Sequence, residues 1–156
     1  MVTVVYFLMK KIFVIGILTL LISACTPTTS EFYSEVKVDN KVIGMPATNK
    51  YIAKGLKKLF RKNGWKIVVV DMGSVKTTGT STNTVNLEAE YKSKTNYVVS
   101  LSQSWTDWCG FKNGMISFDL TIIDSKTGEE TFVAEGEDCQ KTIIKDLEVQ
   151  LSPFWN

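Results

Sequence analysis

Apolar residues in this chain change their spacing several times, and each change marks an element. An almost continuous apolar run, Ile12–Ile22, is broken only by Gly16 and Thr19. It follows Lys10 and Lys11 and ends in the small residues Ser23 and Ala24 before Cys25. A cationic start, an apolar middle and small residues at the close are the layout of an export leader. Thr26–Ser30, with Pro27, is short and polar and reads as a tether. Phe32, Val36 and Val38 alternate in part and predict a strand over 32–38; Asp39-Asn40 turns, and 41–45 predicts a second short strand before Pro46.

Over 48–62 the period lengthens. Tyr51 or Ile52, Leu56, Leu59 and Phe60 share one helical face. Asn63-Gly64 ends this helix, since glycine readily takes the left-handed conformation of a helix C-terminus. Trp65–Met72 is a β-branched run too short for a helix, and predicts a central strand covered on both faces. Gly73–Asn86 is nearly all Gly, Ser, Thr and Asn, and reads as a mobile surface loop. Leu87 and Tyr91, four apart, predict a short helix over 85–92. In 96–105, Tyr97, Val99, Leu101 and Trp105 alternate with Ser100, Ser102 and Ser104, giving a strand with one core face and one wet face. Segments 115–124 and 129–135 flank Asp124-Ser125-Lys126-Thr127-Gly128 as a hairpin, with Ile116, Phe118, Leu120, Ile122, Phe132 and Ala134 inward. Ile143, Ile144, Leu147 and Leu151 predict a last helix over 139–151, with Asp138 as its cap. The apolar tail Pro153-Phe154-Trp155-Asn156 is expected to pack.

This order predicts an α+β fold. It is a two-layer sandwich whose mixed, mostly antiparallel sheet is packed by two main helices, about 48–62 and 139–151. Residues 1–24 form the leader, 25–30 the tether and 31–156 a single domain.

Leu21-Ile22-Ser23-Ala24-Cys25 resembles a bacterial lipobox, the signal for lipid attachment at Cys25 and cleavage before it. The resemblance implies an acylated amino terminus. With about 0.8 kcal/mol of anchoring per buried methylene, three chains make release negligible. Met9-Lys10-Lys11 is a typical bacterial opening and marks Met9 as a candidate start. A plain transmembrane span over 2–24 has sufficient length but would hold Lys10 and Lys11 in mid-bilayer, where charge is costly. An ordinary cleaved leader would leave Cys25 incidental. Thr26 stands where Gram-negative lipoproteins kept at the inner membrane usually carry Asp. The lipoprotein resemblance therefore implies the periplasmic face of the outer membrane; the alternatives are the inner membrane and, in a Gram-positive source, the cell surface.

Charge changes the picture in its distribution. The whole chain has 18 basic and 16 acidic residues; without the leader there are 16 of each. Residues 26–106 hold 12 basic and 6 acidic side chains, and 107–156 hold 4 and 10. Either the halves pair in the fold or they form a two-sided surface. The helix over 48–62 bears Lys50, Lys54, Lys57, Lys58, Arg61 and Lys62 with no acid among them. Such a face is ordinarily solvated; Lys54, Lys58, Arg61 and Lys62 are the candidates for contact with anionic lipid or an acidic partner. Near-neutral overall charge argues against nucleic acid.

With Cys25 lipidated, Cys109 and Cys139 remain as a pair in an oxidising compartment, and a disulfide between them is expected. No metal site is predicted, because the chain has no histidine and only two free thiols. A phosphate-loop reading of Gly73–Gly79 fails on spacing, and Thr80 stands where the lysine belongs, so no nucleotide is expected. Glu88/Glu90, Glu129/Glu130 and Glu137/Asp138 fall where solvated charges belong. The expectation is a non-enzyme with no cofactor. Trp105-Thr106-Asp107-Trp108-Cys109-Gly110-Phe111 is the most suggestive surface: Trp105 and Trp108 are either rings packed around the disulfide or anchors for a partner.

The helix-to-strand unit Ile52–Asp71, the Tyr97-Val98-Val99 strand and the Asp124…Thr127-Gly128 hairpin loosely resemble the TolB amino-terminal domain and the CsgG core. The disulfide and the Ser/Thr loop depart from both families, and no activity is inherited from them. The functional expectation is an envelope lipoprotein that binds protein or supports assembly. The alternative is a periplasmic inhibitor or immunity-type lipoprotein that blocks a toxin or hydrolase.

Overall fold

The computed structural model describes residues 28–37, 39–70, 76–77, 85–86, 94–110 and 114–155. The leader, Cys25 and most of the Gly73–Asn86 segment lie outside the described residues.

Among the described residues, eight strands and two α-helices follow in the order β1 (Thr29–Phe32), β2 (Val42–Pro46), α1 (Tyr51–Lys62), β3 (Lys66–Val70), β4 (Lys76–Thr77), β5 (Val85–Asn86), β6 (Tyr97–Trp108), β7 (Gly114–Asp124), β8 (Glu130–Cys139) and α2 (Gln140–Gln150). A 3₁₀ turn, Ser152–Phe154, closes the described chain. Six strands form one mixed sheet in the order β1-β8-β7-β6-β2-β3. The three joints from β1 to β6 are antiparallel, and those joining β6, β2 and β3 are parallel. The fold is α+β, with both helices packed on the sheet: α1 over β3 and β6, α2 over β7 and β8.

The core lies between these layers. Ile43, Met45, Tyr97, Val99, Ile116, Phe118, Leu120, Ile122, Phe132 and Ala134 face it from the sheet. Ile52, Leu56 and Phe60 of α1 and Ile143 and Leu147 of α2 cover them. The period-2 and helical patterns therefore meet at one interface, as the sequence predicts. The tail packs: Phe154 is fully buried, and the Trp65 indole N–H donates to its carbonyl at 2.9 Å.

Where the helices cross, Gly55 of α1 lies against Ile144 of α2. A Cβ added there would stand 2.2 Å from Ile144 Cδ1 and 2.6 Å from Cγ1. Alanine would add roughly 1 kcal/mol of helix propensity, but overpacking costs typically about 1–3 kcal/mol. Gly55→Ala is therefore expected to destabilise the domain, and Ile144→Ala in the same chain to recover part of the loss. Urea unfolding of the native chain and the two variants checks this.

Several expectations are corrected. The first strand is Thr29–Phe32, not 32–38, and it takes the last two residues of the predicted tether. All four of its residues are exposed, so an edge position left no apolar alternation to read. Within the Trp65–Met72 run, Lys66–Val70 forms a strand at an edge and not at the centre: among the described residues β3 ends the sheet, and Val69 is 61% exposed. Val85–Asn86 pairs antiparallel with Lys76–Thr77, so the predicted helix over 85–92 does not begin there, and the Ser/Thr segment contains a two-stranded ladder. The first helix starts at Tyr51 rather than 48, because Thr48 Oγ1 instead accepts from the Lys50 amide at 3.2 Å. Asp138 does not cap the last helix; its carboxylate accepts from the Cys139 amide, one residue before the helix begins.

Candidate functional site

Strand β6 runs past the helix layer, and its last four residues, Trp105–Trp108, are exposed. A bulge between Trp105 and Asp107 re-aims the strand end. Trp105 is 46% and Trp108 71% exposed, so neither is a core ring. They pack on each other edge to face, centroids 5.7 Å apart and planes at 82°. Gly114 makes room for this: a Cβ there would stand 2.5 Å from Trp105 Cδ1. Thr106 Oγ1 donates to the Met115 carbonyl at 3.3 Å, and the Trp108 amide donates to Asp107 Oδ1 at 2.7 Å.

Immediately beyond Trp108, Cys109 is bonded to Cys139, with Cα atoms 5.6 Å apart. The bridge pins the end of β6 to the junction of β8 and α2. Asp138 lies beside the two sulfurs, but both are spent in the S–S bond, and the group has no free thiolate to offer a metal. No helix among the described residues is long and apolar enough to cross a membrane.

The same end of the sheet holds the amino terminus of α1 by two side-chain amides. Gln103 Oε1 accepts from the Ile52 amide at 2.9 Å, and Gln140 Nε2 donates to the Tyr51 carbonyl at 3.0 Å. Gln103 stands in for the missing helix cap by accepting from an otherwise orphaned amide, and Gln140 holds the carbonyl of Tyr51, whose backbone is left-handed, φ +42°. Neither glutamine was singled out above. A signal existed for Gln103: it occupies an inward position in the Tyr97-Val99-Leu101-Trp105 alternation, where an amide needs a partner.

The basic residues do not gather at the tryptophans. Lys54, Lys58 and Arg61 are exposed along α1, and Lys62 at its far end pairs with Glu148 of α2 at 2.7 Å. Lys57 departs from the predicted basic face. It is buried, and its ammonium donates to the Thr48 carbonyl at 2.7 Å and to Asn49 Oδ1 at 3.2 Å. Burial, with the nearby Arg61 charge, lowers its pKa below the usual lysine value.

At the opposite edge of the sheet, Thr29, Ser30, Glu31, Tyr33, Val133, Ala134 and Glu135 line an open groove of about 310 Å³. Its character is acidic. The Tyr33 hydroxyl is raised above its ordinary pKa, first by its hydrogen bond to Glu31, then by the Glu31 charge, by burial, and by the Glu130 and Glu135 charges.

Strand polarity relates the groove to the aromatic end. Thr29 pairs with Glu135 and Phe32 with Phe132, while β8 continues to Cys139. The chain therefore enters β1 from the end of the sheet that carries the disulfide and the tryptophans. Thr28 approaches so closely that a Cβ on Gly136 would stand 3.0 Å from its Cα. Cys25 precedes Thr29 by four residues, which reach at most ~14 Å when fully extended.

No family model matches the chain, and no curated protein does. Solved structures do. A PelC dodecamer from Paraburkholderia phytofirmans, a leucine-to-methionine variant, superposes with a TM-score of 0.55 at 13% identity, covering 83% of this chain and 98% of that one. PelC in a second crystal form, also a dodecamer, gives 0.52 at 12% identity, covering 83% and 96%. At these identities the likeness shows a shared fold and nothing more: this chain is similar in fold to PelC.

Proposed function

We propose that this chain is a non-catalytic assembly module of the bacterial envelope. It is held by lipid on Cys25 at the periplasmic face of the outer membrane and works in several copies. The observation that carries the reading is the polarity of β1. The residues leading back to Cys25 depart from the end of the sheet that holds Trp105 and Trp108. A tether of ~14 Å at most keeps that end near the acyl chains. Indole rings, apolar with one polar edge, favour the membrane–water interface. The aromatic end faces the bilayer and the sheet edges face sideways. The solved structures of similar fold are dodecamers, which supports action as an assembly. A prominent Gly73–Asn86 loop plugging a cleft would favour the inhibitor reading, and only the two short strands of that segment are among the described residues.

Tryptophan quenching tests the orientation. The full acylated protein is placed in vesicles containing nitroxide-labelled lipid. Strong quenching is expected from the native protein. In the Trp105→Ala/Trp108→Ala variant it should fall to the low level of Trp65 and Trp155, which are buried and half-buried. Equal fractional quenching of both proteins would sink the orientation.

A further inference from the structure

The sheet has two edges, β1 and β3, neither paired to another strand among the described residues. They differ in charge. Glu31 and Glu135 line the groove along β1, and Glu130 lies close enough to act on Tyr33. On the other side, Lys66 is exposed on β3, and Lys54, Lys58 and Arg61 are exposed on α1, which packs on β3. The acidic edge draws on both halves of the sequence, Glu31 from the first and Glu130 and Glu135 from the second, while these basic residues all come from the first.

The β3 edge is also apolar. Lys66-Ile67-Val68-Val69-Val70 has no proline, and Val69 is 61% exposed. A β-branched edge of this kind templates pairing with another strand unless covered. Polarity makes the two edges compatible. Three antiparallel joints separate β1 from β6, and β6, β2 and β3 run parallel, so β1 runs opposite to β3. Copies anchored through the same end share one orientation. Side by side, the β3 edge of one would meet the β1 edge of the next as an antiparallel pair, basic against acidic.

We propose that the acidic β1 edge of one copy docks head to tail on the basic β3–α1 edge of the next, extending the sheet between copies. This inference rests on the proposed action in several copies. A heterologous contact of this kind repeats, closing into a ring if the rotation between copies allows it. Opposite charges set the orientation of the contact and disfavour edge pairing of like with like.

Complementary charge reversal tests it in the full acylated protein in detergent, with size read by native mass spectrometry. Glu31→Lys/Glu135→Lys makes both edges basic, and Arg61→Glu/Lys66→Glu makes both acidic. Each variant alone is expected to assemble at least tenfold more weakly than the native chain, while circular dichroism and the intact disulfide report an unchanged fold. Mixed one to one, they should reassemble into complexes holding equal numbers of the two. If the native chain assembles and the variants assemble equally well alone, this interface is wrong and action in several copies stands. Folded variants that stay monomeric when mixed also overturn the interface. A native chain that remains monomeric at every concentration overturns both.

Discussion

Replacing Phe154 with alanine is expected to cost about 3–5 kcal/mol, the usual penalty for emptying a large aromatic site in a core. Phe154 lies two residues before Asn156, the last of the sequence, yet it is fully buried. Its ring sits 5.3 Å from Tyr97, 6.1 Å from both Phe60 and Trp65, and 6.2 Å from Phe32. These neighbours come from β6, α1, the residue before β3, and β1, so one ring joins both layers and a sheet edge. The backbone takes part too, since Trp65 Nε1 bonds the Phe154 carbonyl. Urea unfolding measures the loss. Val149→Ala, on the exposed face of α2, serves as the control and should stay within about 0.5 kcal/mol of the native chain. A Phe154→Ala loss below about 1 kcal/mol would mean that the tail contributes little to the fold.

The second large effect is expected at the disulfide. Cys109 and Cys139 close a loop of 30 residues, and removing that constraint from the unfolded chain is worth roughly 3–4 kcal/mol. Cys109→Ser/Cys139→Ser should therefore unfold at a clearly lower urea concentration. Reduction of the native protein should reproduce the shift, and reductant should leave the serine variant unmoved. The bridge also ties the tryptophan-bearing end of β6 to the first turn of α2. Its loss should loosen the aromatic end more than the distant Phe60–Trp65 packing, which amide hydrogen exchange would resolve. A serine variant as stable as the native chain would contradict the assignment of this bridge as a structural staple.

Long patterned elements are legible in the sequence. The Ile52-Leu56-Phe60 face, the Ile116–Ile122 alternation and the final helix each bury one continuous apolar stripe, so spacing alone reveals them. Edges are not. Thr29–Phe32 is exposed along its length and is held by its backbone register with β8 and by the Phe32 ring against Phe132 and Phe154, contacts that sequence spacing does not encode. The β3 run was misplaced for the converse reason: continuous apolar sequence is the signature of a strand covered on both faces, and here it lies at an edge. Lys57 looked like one more solvated lysine because helical spacing cannot anticipate the two oxygens of Thr48 and Asn49 that receive it. At the candidate site, the aromatic run and the cysteine pair were visible as residue types. Their position beside the chain's point of entry into the sheet depended on strand polarity, and only the fold supplies that.

Lipid attachment at Cys25 underlies both the orientation of the domain and the side-by-side arrangement of its copies. The measurement closest to it is the intact mass of the protein extracted from bacterial membranes. The expected species begins at Cys25, carries fatty acyl chains and partitions with the outer membrane. An exported protein recovered freely soluble, with its amino terminus unprocessed and without lipid, would contradict the account.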